Sequence, residues 1–173
     1  MKIGKYFTLA EATRSSTASR LGIDNQPDKE QLANLLRTAQ TLMDPIREQF
    51  GRIRVTSGLR TDALNAQIPG SSKTSYHRHG LAFDFVVLGA SIDMRHGHEV
   101  IVGGGRAQYT PTLAGVMEWV IASDLPYDQL IYEYGSWIHI GAAKDDKEPR
   151  KQALMKFAGS RYEVYDAQDP RVV

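Results

Sequence analysis

The sequence predicts an α+β fold, with helices set beside a small antiparallel sheet. Three observations lead there. Apolar residues recur at helical spacing across 29–50, while short apolar-rich runs with strand character appear near 53, 81, 129 and 137. No internal repeat and no linker-like stretch divides the chain. Its 173 residues suit one domain that can bury a core without staples.

Thr8 and Glu11 have the spacing of a capping box, which predicts a short helix within 6–20. Residues 21–27 form a turn-rich link. Asp28 can cap the main helix, in which Leu32, Leu35, Leu36, Ala39, Leu42, Met43 and Ile46 share one face. A kink is expected at Pro45 and a stop at Gly51. Ile53-Arg54-Val55-Thr56 alternates as a strand does, and Ser57-Gly58-Leu59-Arg60 leaves it for a helical turn near 62–67. Residues 68–73 form a loop of Pro, Gly and Ser. A second strand runs from Leu81 to Val87. His96-Gly97-His98 and Gly103-Gly104-Gly105 make 89–111 a loop or hairpin. Residues 112–123 read as a second amphipathic helix. Residues 129–134 and 137–140 read as strands joined by Gly135-Ser136. The tail from Lys144 is charged, with a short helical stretch near 151–157.

Hydrophobic residues make up 42% and charged residues 24%, ordinary values for a globular protein. A formal net charge of +1 lacks the strongly basic signature of a nucleic-acid binder. There is no cysteine, so disulfides, thiolate metal sites and cysteine nucleophiles are excluded. A metal here needs His, Asp, Glu or backbone oxygen. The N-terminal residues lack the apolar core of a secretory signal, and no run reaches the roughly 18 apolar residues of a membrane span. The expectation is a chain without a membrane span that stays in the cytoplasm on synthesis.

The chain has five histidines: His77, His79, His96, His98 and His139. Asp84 lies in an apolar strand, flanked by Phe83, Phe85 and Val86. A carboxylate there is costly unless paired or bound to a cation. A buried Asp satisfied by backbone donors or an arginine is the competing account. His139 sits between Ile138 and Ile140, where a lone histidine is more often a satisfied core residue than a ligand. Glu133 on the neighbouring strand changes that balance. Two imidazoles and one carboxylate leave an open fourth position on zinc, the layout of a catalytic site. Zinc would lower the pKa of a water there towards neutrality, and Glu133 is the candidate to take its proton.

Strand geometry sets a condition on Glu133. A strict two-residue turn at Gly135-Ser136 would place Tyr132 opposite His139 and turn Glu133 to the other side. Glu133 shares the site only if the connection has an odd count or a bulge, such as a three-residue loop with a left-handed Gly. That irregular turn is the expectation. Trp137 shares a face with His139 and can line the pocket. His79 shares parity with His77 if the segment is extended. His96 and His98 read as solvated loop histidines, with an adventitious metal site or a substrate flap as the other reading.

Ser75-x-His77-x-x-Gly80-x-Ala82-x-Asp84, followed by Trp137-x-His139, resembles the signature of the D-alanyl-D-alanine carboxypeptidase family of zinc peptidases. That family includes L-alanyl-D-glutamate endopeptidases, common among phage endolysins, and the likeness is greatest to small phage and prophage members. Ser57-Gly58-Leu59-Arg60-Thr61 resembles the family's Ser-Gly-Tyr-Arg-Ser segment, with Leu59 in place of the aromatic. Asn65 follows at the family's distance. The runs from Asp128 to Glu133, from Phe7 to Glu11 and from Arg14 to Ala18 also resemble that group.

The resemblance implies a Hedgehog/DD-peptidase-like fold over 1–173, a single peptidase domain with 144–173 as a C-terminal extension packed on it. It implies zinc on His77, Asp84 and His139, with Glu133 as general base. It implies Arg60 near the metal, gripping the scissile carbonyl or a substrate carboxylate with its planar fork; a surface salt bridge is the alternative role. Ser75 would orient the loop or a ligand, with Asn65 and Trp137 as further substrate-side groups. The implied substrate is a peptidoglycan stem peptide, cut by a carboxypeptidase or an endopeptidase. The expectation is a monomer without a nucleic-acid partner, acting on the wall after phage-type release or as part of a virion, with a cytoplasmic recycling enzyme as the other fit. A non-catalytic zinc-binding member of the same fold is the second reading. A binding domain with purely structural histidines is the third.

Overall fold

The computed structural model describes residues 1–88, 99–102, 106–109, 112–144 and 147–172, with 99–102 and 106–109 as backbone alone. Two short helices open the chain, α1 (Leu9–Thr13) and α2 (Ser16–Leu21), where the sequence suggested one. The Thr8/Glu11 capping box is present, with Thr8 N donating to Glu11 Oε2 at 2.8 Å.

The main helix is broken into α3 (Lys29–Thr38) and α4 (Asp44–Phe50) by a π-helical turn at Ala39–Met43. Pro45 has no N–H, so it cannot complete the ladder behind it. The adjustment takes the form of a wider turn, in which Asp44 N reaches Ala39 O. Leu35, Ala39, Leu42, Met43 and Ile46 are fully buried, as their spacing predicted.

The sheet has six strands in the order β1-β2-β6-β5-β7-β8. These are β1 (Ile53–Ser57), β2 (Ala82–Val87), β5 (Tyr127–Glu133), β6 (Trp137–Ala142), β7 (Gln152–Lys156) and β8 (Glu163–Val164). A separate two-stranded hairpin, β3 (Glu99–Val102) with β4 (Arg106–Tyr109), and helix α6 (Leu113–Ala122) lie between β2 and β5 in sequence. A short α5 (Asp62–Asn65) and a 3₁₀ turn (Tyr76–His79) lie between β1 and β2.

Two expectations are corrected here. The stretch near 151–157 is strand β7, not helix, and it runs parallel to β5. The sheet is therefore mixed, not purely antiparallel. Gln152, Ala153, Leu154, Met155 and Lys156 all favour helices intrinsically. Pairing with β5 overrides that preference, because a strand takes its energy from its neighbours more than from its own composition.

The sheet has two unlike faces. Phe83, Phe85, Leu130, Tyr132, Ile138 and Ile140 are buried on one, in a core shared with α3, α4 and α6. The other carries Asp84, His139, Ile131, Glu133 and Trp137, because side chains alternate along each strand. No described helix is long and apolar enough to cross a membrane.

Candidate metal centre

His77 lies in the 3₁₀ turn before β2, which Gly80 closes in the left-handed conformation at φ 69°. A Cβ on Gly80 would stand 2.5 Å from Gln31 O of α3, so both the turn and its seat against that helix require glycine there. The turn delivers the His77 ring to the open face of the sheet, where it is 1% exposed.

Its Nδ1 stands 2.6 Å from Gly58 O. A carbonyl only accepts, so Nδ1 carries the hydrogen. Burial pushes the His77 imidazole pKa down, which favours the neutral ring. Nε2 then holds a lone pair. That lone pair faces Asp84 Oδ1 at 3.0 Å and His139 Nδ1 at 3.1 Å. His139 Nδ1 is in turn 2.8 Å from Asp84 Oδ1.

Asp84 and His139 are direct cross-strand partners on β2 and β6, which explains why strands so far apart in sequence meet here. One proton on His139 Nδ1 can satisfy its bond to the carboxylate. It leaves the His77 lone pair pointing at a carboxylate oxygen, two acceptors with nothing between them. A cation relieves that contact. Three such donors, within 4.8 Å of one another, can hold a metal ion. Two imidazole nitrogens and one carboxylate oxygen match the chemistry of zinc.

Arg60 enters from the loop after β1. Its N–H donates to His77 O at 3.0 Å, and its Nη2 lies 3.4 Å from Asp84 Oδ2. This ion pair is inside the cleft, not on the outer surface. Arg60 Nε is buried without a hydrogen-bond partner among the described residues. Asn25 holds this loop from beneath, donating to Thr13 O and Leu59 O at 2.8 and 2.9 Å and accepting from Thr61 N at 3.0 Å. Nothing in its local sequence marks Asn25, because its partners lie 12 to 36 residues away.

The β5–β6 connection has three residues, Tyr134, Gly135 and Ser136, and not the two of Gly135-Ser136 alone. Tyr134 and Gly135 have φ of 56° and 64°. Glu133 therefore pairs with Trp137, and Ile131 with His139. Glu133 stands on the same face as His139, one step along the sheet, which is the condition its role required. Trp137 Nε1 donates to Glu133 Oε2 at 2.7 Å. Burial raises the Glu133 pKa above the ordinary carboxylate range, partly offset by His139.

These groups line one open cleft of about 730 Å³. Ser75 lines it too, at the start of the 3₁₀ turn, though its hydroxyl makes no capping bond. Asn65 does not line it. It sits behind the 68–72 loop, donating to Ser72 O at 3.0 Å. His79 stands apart from this group. The segment is a 3₁₀ turn and not extended, so strand parity does not apply, and His79 lines a neighbouring cavity instead. His96 and His98 lie outside the described residues. Leu154 and Tyr162 also line the cleft, delivered by β7 and the segment before β8. Neither was expected from the sequence: Leu154 lies in the stretch expected to be helical, and Tyr162 in the tail beyond it.

A search of curated proteins finds no match to the chain. A family model described as Peptidase M15 matches residues 5–111. That span holds Arg60, His77 and Asp84, and the sheet register brings His139 and Glu133 to them from beyond it. M15 peptidases are zinc-dependent, and the His77, Asp84 and His139 group can hold such an ion. The chain belongs to the peptidase M15 family.

Proposed function

We propose that this protein hydrolyses amide bonds in bacterial peptidoglycan stem peptides, as a D,D-carboxypeptidase or an L-Ala-D-Glu endopeptidase. The observation that carries the reading is the shared face of the sheet. His77 Nε2, Asp84 Oδ1 and His139 Nδ1 converge there, and Glu133 stands on the adjacent rung of the same cleft. The substrate class rests on the resemblance of the Ser75 to Asp84 and Trp137 to His139 motifs.

His77, Asp84 and His139 would hold the zinc, which supplies Lewis acidity to the scissile carbonyl. Glu133 takes the proton from the attacking water on a carboxylate oxygen. It returns that proton to the nitrogen as the carbon–nitrogen bond breaks, so the amine leaves neutral. Trp137 donates to Oε2 and the Tyr162 hydroxyl also engages the carboxylate, so both hold Glu133 in place. Its raised pKa suits Glu133 to both halves of the transfer. Arg60, which lines the same cleft, offers its fork to a substrate carboxylate or carbonyl oxygen. The cleft is open enough to admit an extended peptide.

The test is digestion of purified peptidoglycan, with the released ends identified by mass spectrometry. New stem-peptide termini should appear with wild type, vanish with a chelator and return with zinc. Glu133→Ala should keep zinc and lose hydrolysis. Wild-type activity that survives in zinc-loaded Glu133→Ala would overturn the mechanism.

A further inference from the structure

Asp128 takes no part in that chemistry, yet it is 3% exposed on β5 and heavily hydrogen-bonded. Its backbone placement is irregular. Tyr127 and Gln129 pair with the consecutive residues Ala142 and Gly141 of β6, so Asp128 is the extra residue of a β-bulge. A bulge re-aims the side chain it carries. Here the carboxylate accepts the Tyr76 hydroxyl at 2.7 Å. It also accepts Arg150 N at 3.0 Å, Nε at 3.0 Å and Nη2 at 2.7 Å. Arg150 Nη2 further donates to the Tyr76 hydroxyl at 3.2 Å, closing a three-residue cluster.

Tyr76 directly precedes His77 in the 3₁₀ turn. Its ring lies against Gly141, where a Cβ would come within 2.9 Å of Cδ2. Gly141 is two residues beyond His139 on the same strand, so the ring rests on the sheet beside the metal centre. The backbone of Tyr76 is held as well, since its carbonyl accepts Leu81 N at 3.1 Å. A four-residue 3₁₀ turn has weak internal hydrogen bonds. A ligand on such a turn keeps its place only if neighbouring groups fix the turn from outside.

We infer that Asp128 is a positioning residue of the metal centre. Through Tyr76 it fixes the turn that aims His77 Nε2 at Asp84 and His139. Through Arg150 it ties the start of β7 to the same point. The inference rests on reading that site as a zinc site.

The test measures zinc affinity of the purified full-length chain by competition with a chromophoric chelator. Wild type, Tyr76→Phe and Asp128→Asn are compared, and each zinc-free protein is melted in parallel. Tyr76→Phe keeps the ring on Gly141 and loses only the hydroxyl, so it carries the test even if Asp128→Asn folds poorly. The expected result is zinc binding weakened by about tenfold in Tyr76→Phe, as for groups that orient ligands. Its zinc-free melting should stay close to wild type. Asp128→Asn should weaken zinc at least as much. Wild-type affinity in Tyr76→Phe, whatever its melting temperature, would overturn the inference while leaving the zinc site standing. A wild-type chain that binds no zinc would overturn both.

Discussion

Asp84 and Asp128 are both buried carboxylates on one sheet, and their surroundings differ in kind. Asp128 meets only donors: a phenol hydroxyl, a backbone N–H and a guanidinium. Asp84 meets one distant guanidinium nitrogen at 3.4 Å and two imidazole nitrogens, one of which offers it a lone pair. Burial therefore does not separate a structural carboxylate from a metal ligand. The polarity of its partners does. Asp128 is complete within the protein, whereas Asp84 belongs to a group that can hold a metal ion.

That contrast can be broken by substitution. Asp84→Ala should abolish zinc binding and reduce peptide hydrolysis to the uncatalysed background, read by metal content and turnover. Glu133→Gln should lower kcat by about 10²- to 10⁴-fold, the usual contribution of a positioned base. It should leave zinc content at one per chain, which separates the base from the ligands.

Stability of the zinc-free protein should rank the two aspartates in the reverse order. Asp128→Ala strips Tyr76 and Arg150 of their acceptor and should cost about 1–3 kcal/mol in denaturant melts. Asp84→Ala loses the His139 and Arg60 contacts but also relieves the opposed His77 lone pair, and should cost less. The pH dependence follows from the Asp128 carboxyl. Burial pushes its pKa up, but the Arg150 and Tyr76 hydrogen bonds outweigh this and hold it below the ordinary range. A carboxyl with a depressed folded pKa stabilises the fold above its unfolded pKa of about 4, and that contribution is lost as pH falls through the folded value. Wild type should thus lose stability on acidification more steeply than Asp128→Asn.

Trp137→Phe is expected to have the smallest effect. It removes the hydrogen bond that partly offsets the raised Glu133 pKa. The pKa should rise further, and the acidic limb of the kcat/KM profile should move to higher pH.

Much of the site was legible in sequence because its spacing is local. His77, Gly80 and Asp84 lie within one turn and one strand, and Trp137 and His139 share another. Even the irregular connection before Trp137 followed from parity, since Glu133 can face His139 only across an odd-numbered loop or a bulge. What escaped was set by distant pairing. The helix-favouring run at 152–156 becomes a strand only because β5 offers an edge. Asn25 acquires meaning from carbonyls of two other segments. The bulge that turns Asp128 towards Tyr76 is a property of the β5–β6 register, which no local pattern encodes. His79 stayed open in the sequence because its parity with His77 held only for an extended segment, and the segment is a 3₁₀ turn.

We assign zinc binding to Asp84 and not to Asp128. Calorimetric titration of the metal-stripped protein with zinc tests it most directly, run on wild type, Asp84→Ala and Asp128→Asn. The expected result is one tight site in wild type, a weakened site of the same stoichiometry in Asp128→Asn and no site in Asp84→Ala. Zinc binding of equal strength in wild type and Asp84→Ala would contradict it.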